Sequence, residues 1–198
     1  LVGSEMCIRD RLYIPSFGSD FNFSVVKGVA DEDLTKGPGH YQDSQDPGKP
    51  GNFAMAGHRV GRGSPFNDLG LLKTCDSVVV ETAGNWNIYR VMPIDVDPGS
   101  RKAEAEKCMP PELAQKMAEG EYAGVNGRYI TTPNDISVIN PIPGQQRIEA
   151  KPEDAALLTM TTCHPQFSNK ERMIVHAVLV RSEPKQGGQL PQELTEGS

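Results

Sequence analysis

The sequence has no long hydrophobic run and no excess of positive charge. No stretch reaches the roughly 18 consecutive apolar residues that a membrane-spanning helix needs, and no secretory signal is visible. The formal net charge is −6, so the chain lacks the basic surface that nucleic acid or anionic lipid requires. Because the chain begins at Leu1 rather than Met, we expect the natural N-terminus, and any anchor in it, to be missing.

The first eleven residues do not lead naturally into the rest of the chain. Residues 1–11 (LVGSEMCIRDR) resemble translated sequencing-adapter sequence and are excluded from the fold, together with Cys7. The expected organisation is therefore a non-native segment at 1–11, a catalytic domain at 12–183 and a flexible tail at 184–198. The tail is polar and rich in Gly and Pro, which is typical of frayed chain ends.

Cysteine is scarce, and its spacing is not that of a metal site. There are four cysteines and four histidines, with no Cys-x-x-Cys pair and no zinc-finger spacing. We expect no metal and no cofactor. Outside the excluded segment, Cys75, Cys108 and Cys163 remain. Because that number is odd, one thiol must be free.

The composition favours short strands over long helices. The chain holds 20 Gly and 16 Pro, and 37% of its residues are hydrophobic. Such a content of turn residues suits a mainly β fold with about eight short strands, closed or nearly closed into a barrel. Tyr129 to Thr132 and Ile136 to Ile139 are short β-like runs. The segment from Arg101 to Glu121 alone has helical periodicity, and Pro110-Pro111 splits it.

A candidate nucleophile lies at the end of a predicted strand. The β-rich run from Leu157 to Thr162 ends at Cys163, and Pro165 then breaks it. A thiol at the end of a rigid strand is held in place while its sulfur faces the open rim. On composition alone, a buried inert thiol or half of a disulfide is the commoner fate of such a cysteine.

Two further side chains can assist a thiol. His58 also lies at a predicted strand end, after Gly57, and histidine suits proton transfer near pH 7. Arg172 follows Cys163 across a loop and directly precedes the strongest predicted strand, Met173 to Val180, so antiparallel pairing would bring the two together. A fixed cation there would stabilise a thiolate or a developing oxyanion. A rim histidine with a structural hydrogen bond and a solvated arginine are the alternatives.

Together these signals resemble one family of enzymes. Thr159 to Cys163 (TMTTC) resembles the signature Thr-Leu-x-Thr-Cys of the sortases, with Met160 in place of Leu. Asn52 to Arg59 resembles the strand that carries the sortase histidine, and Glu171 to Ala177 resembles the arginine strand. The resemblance runs in the right order over most of the chain. It implies an eight-stranded sortase barrel with short helices. This chain departs from the family pattern in carrying a longer, partly helical insertion at about 101–128.

The subtype resembles the class E sortases of actinobacteria. These carry the string TTCHP, found here at Thr161 to Pro165, and a Gly-Pro-Gly-His-Tyr loop, found here at Gly37 to Tyr41. The resemblance assigns Cys163 as nucleophile, with His58 and Arg172 as its partners. It also links Tyr41 to a preference for the signal Leu-Ala-x-Thr-Gly over Leu-Pro-x-Thr-Gly. Thr162 is a candidate substrate contact, although an ordinary β-former is the plainer interpretation.

The resemblance also implies an activity and its partners. A sortase cleaves a C-terminal sorting signal of a secreted protein after Thr and holds the acyl group as a thioester. It then passes that group to an amine of a peptidoglycan precursor or to a pilin lysine. The expected location is the extracellular face of the membrane, held by an N-terminal anchor that this chain lacks. No nucleic-acid partner is expected.

Two questions stay open at the level of sequence. Since sortases act where disulfides persist, we hypothesise a bond between Cys75 and Cys108 that ties the insertion to the barrel; two separate buried thiols are the alternative.

The rival functions are another cell-wall Cys/His transpeptidase and a non-catalytic β-barrel module. An L,D-transpeptidase would place Ser and Gly before its cysteine, whereas Thr161-Thr162 precede Cys163 here.

Overall fold

The computed structural model describes residues 10–61 and 63–196, and in them most of the regular structure is β. Cys7 lies outside these residues. The strands of the described chain are β1 (Asp10–Tyr13), β2 (Asn22–Lys27), β3 (Gly39–His40), β4 (Gly51–Ala56), β5 (Ser77–Glu81), β6 (Asn85–Val91), β7 (Arg128–Thr131), β8 (Ala156–His164) and β9 (Glu171–Pro184).

Eight of these strands close into a barrel. They follow one another in the order β6-β5-β1-β2-β3-β4-β8-β9, and a further pairing of β9 with β6 completes the ring. Strand β7 pairs only with the first part of β9, where Thr131 lies opposite Arg172. The later part of β9 pairs with β6, where Ala177 lies opposite Val91. The predicted eight-stranded barrel is confirmed, with β7 added at its side.

The strands direct core side chains to one face and other side chains to the outer face of the barrel. Phe53, Met55, Leu158, Met160 and Val175 all belong to the main hydrophobic cluster, which fills the barrel. Because successive side chains of a strand point to opposite faces, the residues between them face outward. That outer row on β8 runs through Thr159 and Thr161 to Cys163.

The inserted segment covers part of the outside of the barrel. After the short helix α1 (Asp31–Leu34) earlier in the chain, the insertion holds α2 (Arg101–Glu106) and α3 (Pro111–Ala118), separated at Pro110 as the sequence predicts. Their apolar side chains join a second hydrophobic cluster with Leu157 of β8 and Val178 of β9. Arg101 is 3% exposed and donates from Nε to the Met117 carbonyl at 2.9 Å. This buried hydrogen bond holds the two helices together.

A barrel cysteine and an insertion cysteine are bonded in the structure. Cys75 and Cys108 form a disulfide with an S–S distance of 2.05 Å and a Cα–Cα distance of 5.7 Å. Cys75 lies just before β5, and Cys108 lies between α2 and α3. The bond therefore ties the insertion to the barrel.

Loss of this disulfide should lower stability without touching the reactive thiol. The closed loop spans a sequence separation of 33, for which chain entropy gives about 3–4 kcal/mol. Replacing Cys75 and Cys108 by serine should therefore lower Tm by roughly 10 °C. Calorimetry with and without reductant measures the change, and peptide-resolved thiol labelling measures the bond itself. The bond would be contradicted by a wild type that unfolds at the same temperature with and without reductant and whose Cys75, Cys108 and Cys163 thiols all react.

The first strand starts within the segment predicted to be non-native. Strand β1 begins at Asp10, which pairs with Val25, so residues 10 and 11 of the predicted non-native segment belong to the barrel. Backbone pairing explains this, since it does not depend on which side chains the strand carries.

The tail packs onto the barrel rather than fraying throughout. It forms a 3₁₀ turn at Gln192–Leu194, and the Glu193 side chain is 8% exposed. Its carboxylate accepts from Arg181 at 2.7 and 2.6 Å and from Arg90 at 3.0 Å. A shielded carboxylate between two guanidinium groups is a strong local tether. None of the helices at 10–61 and 63–196 is long and apolar enough to cross a membrane.

Candidate active site

Cys163 and Arg172 lie directly opposite each other. They are Cα partners in the antiparallel ladder of β8 and β9, which confirms the pairing inferred from the sequence. The loop 165–170 connects the ends of these two strands. Cys163 is partly exposed and is the free cysteine of the described residues. A thiol at the rim, beside a cation on the next strand, is accessible to a peptide.

His58 follows the strand on the other side of Cys163. Strands β4 and β8 run parallel, and Ala56 pairs with Thr161. The pairing continues past the strand end, because the Gly57 N–H donates to the Thr161 carbonyl at 3.0 Å. His58 and Cys163 each stand two residues beyond the pair of Ala56 and Thr161. The three predicted residues therefore gather at one end of the row β4, β8 and β9.

Gly57 and Thr162 fix the approach of the histidine segment. A Cβ on Gly57 would lie 2.5 Å from the ring of Phe66, so only glycine fits between that ring and β8. Thr162 is 3% exposed and donates its hydroxyl to the Gly57 carbonyl at 2.7 Å. This differs from the expected substrate contact. The Thr162 side chain alternates away from Cys163 and joins two strand ends instead.

An arginine that the sequence did not single out holds the backbone of Cys163. Arg59 donates from Nη1 to the Cys163 carbonyl at 3.4 Å and contacts Nδ1 of His164 at 2.6 Å. Nε2 of His164 lies 3.9 Å from Glu171. Arg59 adjoins His58, so this contact holds the histidine segment against β8. The pairing of residues so distant along the chain leaves no signal in local sequence.

Tyr41 reaches the same outer face as the thiol. Its hydroxyl lies 3.0 Å from Oγ1 of Thr161, two residues before Cys163 on β8. The small side chains of Ala54 and Ala56 share this face on β4. Tyr41 thus stands at the side of a shallow surface that leads to Cys163.

A further histidine, on the outer face of β9, is buried beneath the insertion. His176 is fully buried on β9, and its Nδ1 lies 2.8 Å from Oγ1 of Thr159. Burial lowers the pKa of His176 to about 3, and the Arg101 guanidinium acts in the same direction. A histidine that stays neutral at pH 7 under the insertion cannot serve as the proton carrier of a rim thiol.

Comparisons with known proteins show the family of this chain. The sortase domain model matches residues 12–180. The chain therefore belongs to the sortase family. Its relatives include Sortase SrtE1 and Sortase SrtE2 of Streptomyces coelicolor, and together with the solved sortase E from Streptomyces avermitilis they support a sortase of the class E type.

The relatives differ in how much of their length this chain matches. Sortase SrtE1 is 28% identical over 89% of this chain, which spans 42% of that protein; for Sortase SrtE2 the identity is 26%, over 91% and 59%. The SrtF sortase from Corynebacterium diphtheriae is 56% identical, with a TM-score of 0.91 and coverage of 94% of this chain and 91% of that one. Sortase E from Streptomyces avermitilis is 32% identical, with a TM-score of 0.64 and coverage of 93% and 95%.

Proposed function

We propose that this chain is a cysteine transpeptidase that cleaves a C-terminal sorting signal after Thr and transfers the acyl group to an amine. The observation that carries the proposal is the alignment of His58, Cys163 and Arg172 at one end of three neighbouring strands. The expected place of action is the cell surface, where sortases act on secreted proteins.

The first half of the reaction forms a thioester. The Cys163 thiol gives its proton to His58, and the sulfur attacks the carbonyl carbon of the signal's Thr. The oxygen of the tetrahedral intermediate gains a negative charge beside Arg172, whose guanidinium donates hydrogen bonds to it. The Thr–Gly amide bond then breaks, and His58 returns the proton to the leaving amine.

The second half reverses these roles. An incoming amine attacks the thioester carbon and gives a proton to His58. The carbon–sulfur bond breaks, so Cys163 is regenerated and a new amide bond is formed. We propose an amine of a peptidoglycan precursor, or a pilin lysine, as the acceptor. Water in place of the amine would give slow hydrolysis.

The donors of Arg172 suit an oxyanion on the outer face. Within residues 10–61 and 63–196, both of its hydrogen bonds are made by Nη1, to the carbonyls of Asn169 and Glu171. Nε and Nη2 remain as donors on the same planar group. One edge of the guanidinium can therefore hold the loop while another meets the substrate.

Tyr41 supports the choice of signal. Its hydroxyl bonds to Thr161, beside the path a peptide would follow to Cys163. A tyrosine in that place narrows the space for the residue two before the scissile Thr. We propose that the chain prefers Leu-Ala-x-Thr-Gly over Leu-Pro-x-Thr-Gly, because alanine needs less room there than a proline ring.

Mass spectrometry of the intact protein tests this proposal. Incubation with a Leu-Ala-x-Thr-Gly peptide should add the acyl mass to Cys163, and added amine should remove it as the new amide. A Leu-Pro-x-Thr-Gly peptide should acylate more slowly, and Tyr41→Phe should leave acylation intact while Tyr41→Ala narrows the difference between the peptides. A folded protein that takes no acyl group from either peptide would overturn the proposed activity.

A further inference from the structure

The loop between Cys163 and Arg172 places one more polar side chain on the sulfur. The thiol of Cys163 donates to Oδ1 of Asn169, with Sγ and Oδ1 3.2 Å apart. The sequence predicts only a connecting loop between Cys163 and Arg172. The structure instead turns the side chain of Asn169 back onto the proposed nucleophile.

The backbone of that loop is held at both ends. Arg172 donates from Nη1 to the Asn169 carbonyl at 3.3 Å and to the Glu171 carbonyl at 3.0 Å. The Ser168 N–H donates to the Pro165 carbonyl at 3.1 Å, and the Gln166 side chain donates to Oδ1 of Asn67 at 2.8 Å. The side chain of Asn169 is thus aimed by contacts on either side of it.

A primary amide is suited to both forms of a cysteine. Its oxygen accepts a hydrogen bond from a thiol, and its NH₂ group donates to a thiolate after rotation about the side chain. An ionised carboxylate can only accept, so it favours the thiol. Alanine offers neither contact. The residue type at 169 therefore affects which form of Cys163 is held in place.

We propose that Asn169 is a positioning residue of this active site. It fixes Sγ of Cys163 through its amide, and Arg172 fixes Asn169 through the loop backbone. This inference rests on the proposed function, because it assumes that Cys163 is the nucleophile. The charged and titratable groups on the adjoining strand ends and loop, among the described residues, are His58, Arg59, His164, Lys170, Glu171 and Arg172.

The test is the pH dependence of alkylation, which needs no peptide substrate. Iodoacetamide labelling of the Cys163 peptide, followed by mass spectrometry across pH, gives the midpoint at which the thiolate forms. Asn169→Asp should move that midpoint up by about one pH unit, because a carboxylate beside the sulfur disfavours the thiolate. Asn169→Ala should lower kcat about three- to tenfold, the loss of one hydrogen bond, with KM unchanged.

Asn67→Asp is the matched control, because it adds the same charge beside the same loop without contacting the sulfur. Its midpoint should stay at the wild-type value. The inference would be overturned if Asn169→Asp had the wild-type midpoint of alkylation and Asn169→Ala had the wild-type kcat. This holds even where the peptide acylates the protein. A wild type that takes no acyl group while Asn169→Asp still shifts the midpoint would instead overturn the proposed function and leave the Asn169 contact supported.

Discussion

Replacing Cys163 with alanine is expected to abolish acylation and transpeptidation while the domain stays folded. In the proposed mechanism the sulfur forms the thioester, so no other side chain can replace it, and loss of a nucleophile costs at least about 10³-fold in kcat. The folding cost is small, because Cys163 is partly exposed at a strand end. Its backbone pairing with Arg172 does not need the thiol. We expect Tm to change by no more than about 2 °C.

The double serine variant of Cys75 and Cys108 is the natural control. It should lose stability and keep acylation, whereas Cys163→Ala should keep stability and lose acylation. Intact-protein mass spectrometry and calorimetry on both variants measure the two effects separately. Continued turnover in Cys163→Ala would favour a non-catalytic barrel module or a different nucleophile. A double variant without acylation would mean that the insertion shapes the active site as well as the fold.

The sequence predicts some parts of the site well because they are local. Cys163 and Arg172 lie on consecutive strands joined by a short loop, so antiparallel pairing nearly determines that they meet. The helical insertion and its break at Pro110 follow from periodicity and proline chemistry. These inferences need no knowledge of distant chain segments.

Other parts depend on contacts that local pattern does not record. The segment that carries His58 pairs in parallel with β8, although the two are more than a hundred residues apart in the sequence. The hydrogen bond from the Thr162 hydroxyl to the Gly57 carbonyl joins them. Only the resemblance to a family joined the two in advance. Asn169 was missed for a related reason: a polar residue in a polar loop looks the same whether it faces solvent or a sulfur.

One predicted strand was wrong for a physical reason. Ile136 to Ile139 is a run of β-branched and small residues, yet it forms a 3₁₀ helix. Asp135 accepts hydrogen bonds from the hydroxyls of Thr131 and Ser137 at 2.8 and 2.6 Å. These contacts curl the chain at the start of the run. Side-chain bonds to a turn outweigh β propensity, which is a weak preference.

Replacing Arg172 with lysine is expected to lower kcat/KM for the peptide by about 10²- to 10³-fold, the range for loss of one oxyanion donor set. Lysine keeps the charge but not the planar fork, so it cannot hold the loop with one edge and the oxyanion with another. Arg181→Lys is the matched control, because Arg181 lies further along the same strand and pairs with Glu193. It should keep wild-type turnover despite some loss of stability.

Arg172 has two roles in this scheme, and two rates separate them. Acylation by the peptide needs both the placed sulfur and the stabilised oxyanion, whereas alkylation by iodoacetamide builds no oxyanion and needs the sulfur alone. If Arg172 stabilises the oxyanion, the lysine variant should lose far more in acylation than in alkylation, measured under single-turnover conditions. Equal losses in both rates would reduce Arg172 to an anchor for Asn169 and the loop, and unchanged acylation would remove it from the mechanism.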